Sequence, residues 1–181
     1  MGFLKKKPLT GGGSCYGKLM PTVPPSAVTD AWNELNIEDD EKLATHVAQF
    51  RSEQPVLAGF LQAAEEAIAE RDDRGLVFFY GLWAWLAFRK CGGAMHEVTE
   101  ERIEAAWEEN EDEMSELEAA DDRRWLHEAR TLTREYRQMA LLGAMTESIM
   151  DPGLTDRPRS DDLSGIILLH VKTAIDALDG D

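Results

Sequence analysis

The sequence predicts an all-α fold: a single-domain bundle of about six helices, built from antiparallel hairpins around a central apolar helix at residues 76–91. Three observations carry that expectation. Apolar residues recur at steps of three and four along most of the chain, which gathers them on one side of a helix. Prolines and paired glycines punctuate the gaps between those stretches. One stretch of 16 residues is apolar on every side, and only surrounding helices could cover it.

The 181 residues suffice for one hydrophobic core. Residues 1–25 form a basic, Gly/Pro-rich N-terminal arm, with Gly11 to Gly13, Gly17, Pro8, Pro21, Pro24 and Pro25, and the helical domain spans residues 26–181. Ser26 caps a short first helix carrying Val28, Trp32 and Leu35. Leu43, Val47 and Phe50 give the second helix, near 38–51, one apolar face, with Glu38 to Glu41 crowding the first turn, where the helix dipole favours acids. Pro55 opens the third helix, whose Val56, Phe60, Ala63, Ala64, Ala67 and Ile68 recur to about Glu70. These two helices are expected to pair as a hairpin.

Leu76 to Cys91 follows, bounded by Gly75 and Gly92-Gly93, with Phe78, Phe79, Trp83, Trp85 and Phe88 within it. Thr99 caps an acidic helix with the stripe Ile103, Trp107, Asn110, Met114 and Leu117. Trp125, Ala129, Leu132, Tyr136, Met139 and Gly143 continue the same rhythm up to Asp151-Pro152-Gly153, so residues 99–149 read as a second hairpin. Its charges agree: Glu104, Glu108 and Glu111 on one partner face Arg130, Arg134 and Arg137 on the other, an interaction surface that selects register more than it stabilises. The last helix, from Ser160, carries Leu163, Ile167, His170, Ala174 and Leu178.

The formal net charge is −16, from 35 acids and 19 bases, and four of the bases are lysines of the N-terminal arm. Such a surface repels phosphate backbones and anionic lipid, which excludes generic nucleic-acid binding and membrane-surface attachment. No signal peptide is legible after Lys5 to Lys7, and the longest apolar run, 13 residues, is short of the roughly 20 that span a bilayer. Two cysteines, Cys15 and Cys91, have no zinc spacing. The composition is that of a cytoplasmic protein.

Several motifs were weighed for chemistry. Gly12 to Lys18 has P-loop spacing, but Leu19 stands where magnesium needs Ser or Thr, and no strand precedes it. Glu38-x-x-Glu41 and Glu70-x-x-Asp73 each place two carboxylates on one helix face, as oxygen ligands for a hard cation. This spacing resembles the magnesium motif of the all-α nucleoside triphosphate pyrophosphatases. The resemblance implies a nucleotide hydrolase with Mg2+ as cofactor, Glu38, Glu41, Glu70 and Asp73 as ligands, and Arg71, Arg74 or Lys18 at phosphate. The same letters recur at Glu101-x-x-Glu104 and Glu118-x-x-Asp121 on one helix, about 26 Å apart, where they cannot share a metal.

His170 lies on the stripe of the last helix and His46 beside that of the second. Both read as buried polar sites whose ring nitrogens need partners. With no complete catalytic motif, the leading expectation is a non-enzymatic helical interaction or ligand-binding module without cofactor, its partner a protein or a second copy of the chain. The magnesium-dependent hydrolase is the alternative.

Overall fold

The computed structural model describes residues 21–36, 39–68, 75–92, 95–118, 135–150 and 161–180. Among them are seven helices and no strand: α1 (Pro25–Leu35), α2 (Asp40–Glu53), α3 (Pro55–Ala67), α4 (Leu76–Lys90), α5 (Glu100–Glu118), α6 (Met139–Met150) and α7 (Asp161–Asp179). The chain is therefore an all-α helical bundle, and no helix among the described residues is long and apolar enough to cross a membrane.

Helix starts follow local chemistry. Pro25 occupies the first turn of α1 one residue before the expected cap, because proline's fixed φ suits a position whose N–H needs no partner. Asp39 caps α2 by accepting from the Lys42 N–H at 3.0 Å. Helix α4 begins after Gly75 at φ 53° and stops before Gly92 at φ 73°, left-handed conformations that side chains avoid.

Helix α4 is the centre of the bundle. Its residues Tyr80 to Phe88 are all buried, and α1, α2, α3, α6 and α7 pack around it. Each large side chain so enclosed contributes roughly 1.5 to 3 kcal/mol. Gly81 admits α3 closely: a Cβ there would lie 2.2 Å from Leu61 Cδ1. On α4 the buried Trp85 indole N–H has no hydrogen-bond partner among the described residues.

The structure corrects two stripes. In α3 the deeply buried side is Leu57, Leu61, Ala64 and Ile68, while Val56 and Phe60 are only half-buried and Ala63 is exposed. The expected rhythm through Tyr136, Met139 and Gly143 is also interrupted, because α6 starts at Met139 and buries Leu141, Met145 and Ile149. Met139 itself is 49% exposed. The cause is Gln138, fully buried in the turn before α6, whose carbonyl accepts from the N–H groups of Leu141 and Leu142 at 3.0 Å.

Helix α5 packs on α7, whereas α6 packs on α7, α1 and α4. The second partner of the expected 99–149 hairpin lies, up to residue 134, outside the described residues. Val23 belongs to the core although it falls within the expected arm: it is fully buried and donates its N–H to Gln138 Oε1 at 2.8 Å.

A second buried glutamine acts in the same way. Gln54, the single residue between α2 and α3, donates through Nε2 to the His96 carbonyl at 2.9 Å and accepts through Oε1 from Val98 N–H at 2.8 Å. Gln54→Leu keeps volume but orphans two backbone groups, of which the Val98 N–H is buried. We expect a loss of about 1 to 3 kcal/mol in urea unfolding, with unchanged helix content by circular dichroism.

Candidate functional site

Many of the residues singled out in the sequence lie outside the described residues. Of the four carboxylates in the resemblance, Glu41 is an exposed first-turn residue of α2, and Glu38, Glu70 and Asp73 lie outside the described residues, as do Lys18 and the Gly12 to Lys18 segment. Among the described residues no group of three or more His, Cys, Asp or Glu is placed to hold a metal ion. Glu104, Glu108 and Glu111 are exposed on α5, and none of them forms an ion pair among the described residues. Arg130 and Arg134 lie outside that set, and Arg137 pairs with Asp179 at 2.9 Å.

His170 is enclosed by aromatic rings, 5.4 Å from Phe60 and 4.8 Å from Trp107 between centroids, with Nδ1 2.8 Å from the Ile166 carbonyl. Burial lowers its pKa, against the opposing effect of that carbonyl. His46 Nε2 lies 3.1 Å from Glu34 Oε1, close enough for an ion pair but without hydrogen-bond alignment, and both ring nitrogens are buried without a hydrogen-bond partner. The same Glu34 carboxylate takes Lys42 and Lys90, and its pKa is lowered first by the Lys90 hydrogen bond. The Cys91 thiol donates to the Ala87 carbonyl at 3.3 Å, and burial pushes its pKa up, which suits a packing group and not a nucleophile.

A polar cluster that the sequence reading missed joins α5, α7 and the turn before α6. Lys172 Nζ sits 3.0 Å from Glu113 and 3.1 Å from Asp176, donates to Asn110 Oδ1, and lies 5.1 Å from the centre of the Tyr136 ring. Asn110 Nδ2 donates to Thr173 Oγ1 and Asp176 Oδ2, and the Tyr136 hydroxyl donates to Asp176 Oδ1 at 2.6 Å. Burial, then the Asp176 charge, raises the Tyr136 pKa, so the phenol stays protonated. Beside it, buried Asp179 accepts from Gln138 at 2.6 Å and from Arg137. Lys172 has three oxygen partners among the described residues, so the arrangement fixes α5 and α7 against each other. The signal for it was Asn110, an amide on an otherwise apolar stripe.

An open cleft lies elsewhere, between α1, α4 and α6. It encloses about 360 Å³ and is lined by Val28, Thr29, Trp32, Trp83, Ala144, Glu147 and Ser148. Trp32 and Trp83 form its aromatic wall, with ring centroids 4.6 Å apart, and Phe79 meets Trp32 edge-on at 5.8 Å. The wall is held in place: Trp83 Nε1–H donates to the Val28 carbonyl at 3.0 Å, and the Tyr80 and Ser148 hydroxyls share a hydrogen bond at 3.0 Å. Among the described residues the lining offers one carboxylate and two hydroxyls, and neither histidine, cysteine nor lysine. In the sequence both tryptophans read as core. The available clue was Glu147, the one charged residue of α6.

The chain matches no family model, no curated protein and no solved structure.

Two measurements test these assignments. Tyr136→Phe removes a donor to a carboxylate and should cost about 1.5 to 3 kcal/mol in chemical unfolding. Because the folded state disfavours protonated His170, the unfolded chain binds more protons as pH falls through about 6.5. Its stabilising contribution is complete above that value and is lost toward the lower folded pKa. His170→Phe should flatten the stability profile in that interval.

Proposed function

We propose that this chain is a non-catalytic binding module whose partner, a protein, is engaged at the cleft between α1, α4 and α6. The observation that carries this reading is the preformed aromatic wall: Trp32 and Trp83 border an open volume of about 360 Å³, within the range of ligand pockets. A half-buried Trp32 backed by the buried Trp83, both already held in position by the fold, costs little ordering on binding, and rigid aromatic side chains are the usual anchors of protein interfaces.

The chemistry of the lining supports binding over turnover. Nucleophilic catalysis needs a nucleophile within hydrogen-bond reach of a base, and a proton shuttle needs a paired acid and base. Thr29, Ser148 and Glu147 supply two hydroxyls and one carboxylate, and the Ser148 hydroxyl already bonds Tyr80. The exposed row Glu104, Glu108 and Glu111 on α5 adds a long-range field that would speed encounter with a basic partner.

Ligand-observed saturation-transfer NMR tests the cleft with four side-chain analogues: propylguanidinium, butylammonium, benzyl alcohol and isobutanol. At least one should receive saturation from the wild-type protein and lose it with Ala144→Phe, which fills the cleft, once circular dichroism shows that the variant is folded. Equal transfer in both proteins, or transfer to none of the probes, overturns the reading.

A further inference from the structure

Resting on that reading, we propose that the cleft is an arginine pocket, seating the guanidinium of a basic segment on the partner protein between the half-buried Trp32 ring and the Glu147 carboxylate.

The first ground is the chemistry of the lining. An indole face carries negative electrostatic potential and attracts a cation lying over it, most strongly where water is partly excluded. Glu147 is the one acidic or basic residue among the described residues that line the cleft, and it forms no ion pair among the described residues. Thr29 and Ser148 add hydroxyl oxygens that can accept from a donor. The half-buried Trp32 ring, one carboxylate and two hydroxyl acceptors form a set that a cation with several N–H donors completes. An anion would meet only repulsion from Glu147 and from the net charge of −16.

The second ground is that the chain already builds this arrangement internally. The Arg89 guanidinium lies 4.8 Å from the centre of the Trp85 ring while its Nη1 is 3.4 Å from Glu53. Tryptophan, carboxylate and arginine there form one closed unit. The cleft presents the tryptophan and the carboxylate without the arginine. Arginine is preferred to lysine because its planar, weakly hydrated cation stacks on a ring and forks onto a carboxylate together, whereas an ammonium is a compact, strongly hydrated charge.

Citrulline has the shape of arginine without its charge, so it isolates the interaction. The wild-type protein would be titrated with the peptides acetyl-Lys-Gly-Arg-Gly-Lys-amide, its citrulline and lysine counterparts, and acetyl-arginine amide, following the tryptophan indole N–H signals by NMR. The arginine peptide should shift the Trp32 and Trp83 signals and bind about tenfold more tightly than the citrulline peptide. Glu147→Gln should weaken the arginine peptide about threefold or more and leave the citrulline peptide unchanged.

Equal affinity for arginine and citrulline peptides, with both lost in Ala144→Phe, overturns the arginine assignment and leaves the binding module standing. Stronger binding of the lysine peptide also overturns it. Acetyl-arginine amide binding as tightly as the peptide at low salt overturns the protein segment as the source of the guanidinium. Indole signals unmoved by every peptide overturn the assignment, and the neutral probes of the preceding experiment then decide the module itself.

Discussion

A helix with no polar side cannot choose a face to bury, so Leu76–Lys90 can be stable in water only if other helices enclose it. The arrangement of the bundle follows from that demand. Helices α1, α3 and α7 cover most of it, α2 and α6 close the remaining angles, and α5 is carried on the outer surface of α7. Gly81 is the device that lets Leu61 of α3 approach the central axis. The aromatic cleft is a by-product of the same enclosure, because α1 and α6 do not meet fully over the indole of Trp83.

Where chain without regular structure must enter this core, glutamine does the stitching. A strand would satisfy its backbone with a neighbouring strand, which an all-helical protein does not offer. Gln54 meets His96 and Val98 with both ends of its amide, and Gln138 meets Val23 and Asp179 likewise. An amide offers donor and acceptor at once without charge, so it can be buried at much lower cost than a carboxylate or an ammonium. Both residues stand directly before a helix and serve its first turn through their carbonyls, which accept from Ala58 and from Leu141 and Leu142.

Helical periodicity in the sequence was enough to locate α1, α2, α3, α5 and α7, because each has an apolar side that recurs at steps of three and four, while α4 was marked by its unbroken apolar run between glycines. The stripe Ile103, Trp107, Asn110 and Met114 lies inward in the structure as its spacing requires. Periodicity misplaced the face of α3, where small alanines on several sides blur the pattern. It also ran through Tyr136 to Met139, since a turn held by a long-range amide contact leaves no local mark. The cleft was illegible for a related reason: spacing puts Trp32 and Trp83 on buried faces, and only the assembled helices show that one edge of that face stays open. Glu104, Glu108 and Glu111 are exposed on α5, whereas Arg137, expected to face them, turns to Asp179, a partner 42 residues away that pairing by rhythm could not anticipate.

The Val23, Gln138 and Asp179 linkage has a temporal meaning. It joins a position near the start of the chain to one near its end, with sequence separations of 115 and 41 residues. A chain emerging from a ribosome can bring α2 and α3 into contact while still attached, since those contacts are local. The Val23–Gln138 bond must wait until residue 138 is synthesised and the Gln138–Asp179 bond until α7 follows, and such distant closures are the slow part of folding. Before then the first helix holds its place against the central one by apolar contact, the Trp83–Val28 hydrogen bond and the Lys90–Glu34 pair, without the joint at Val23.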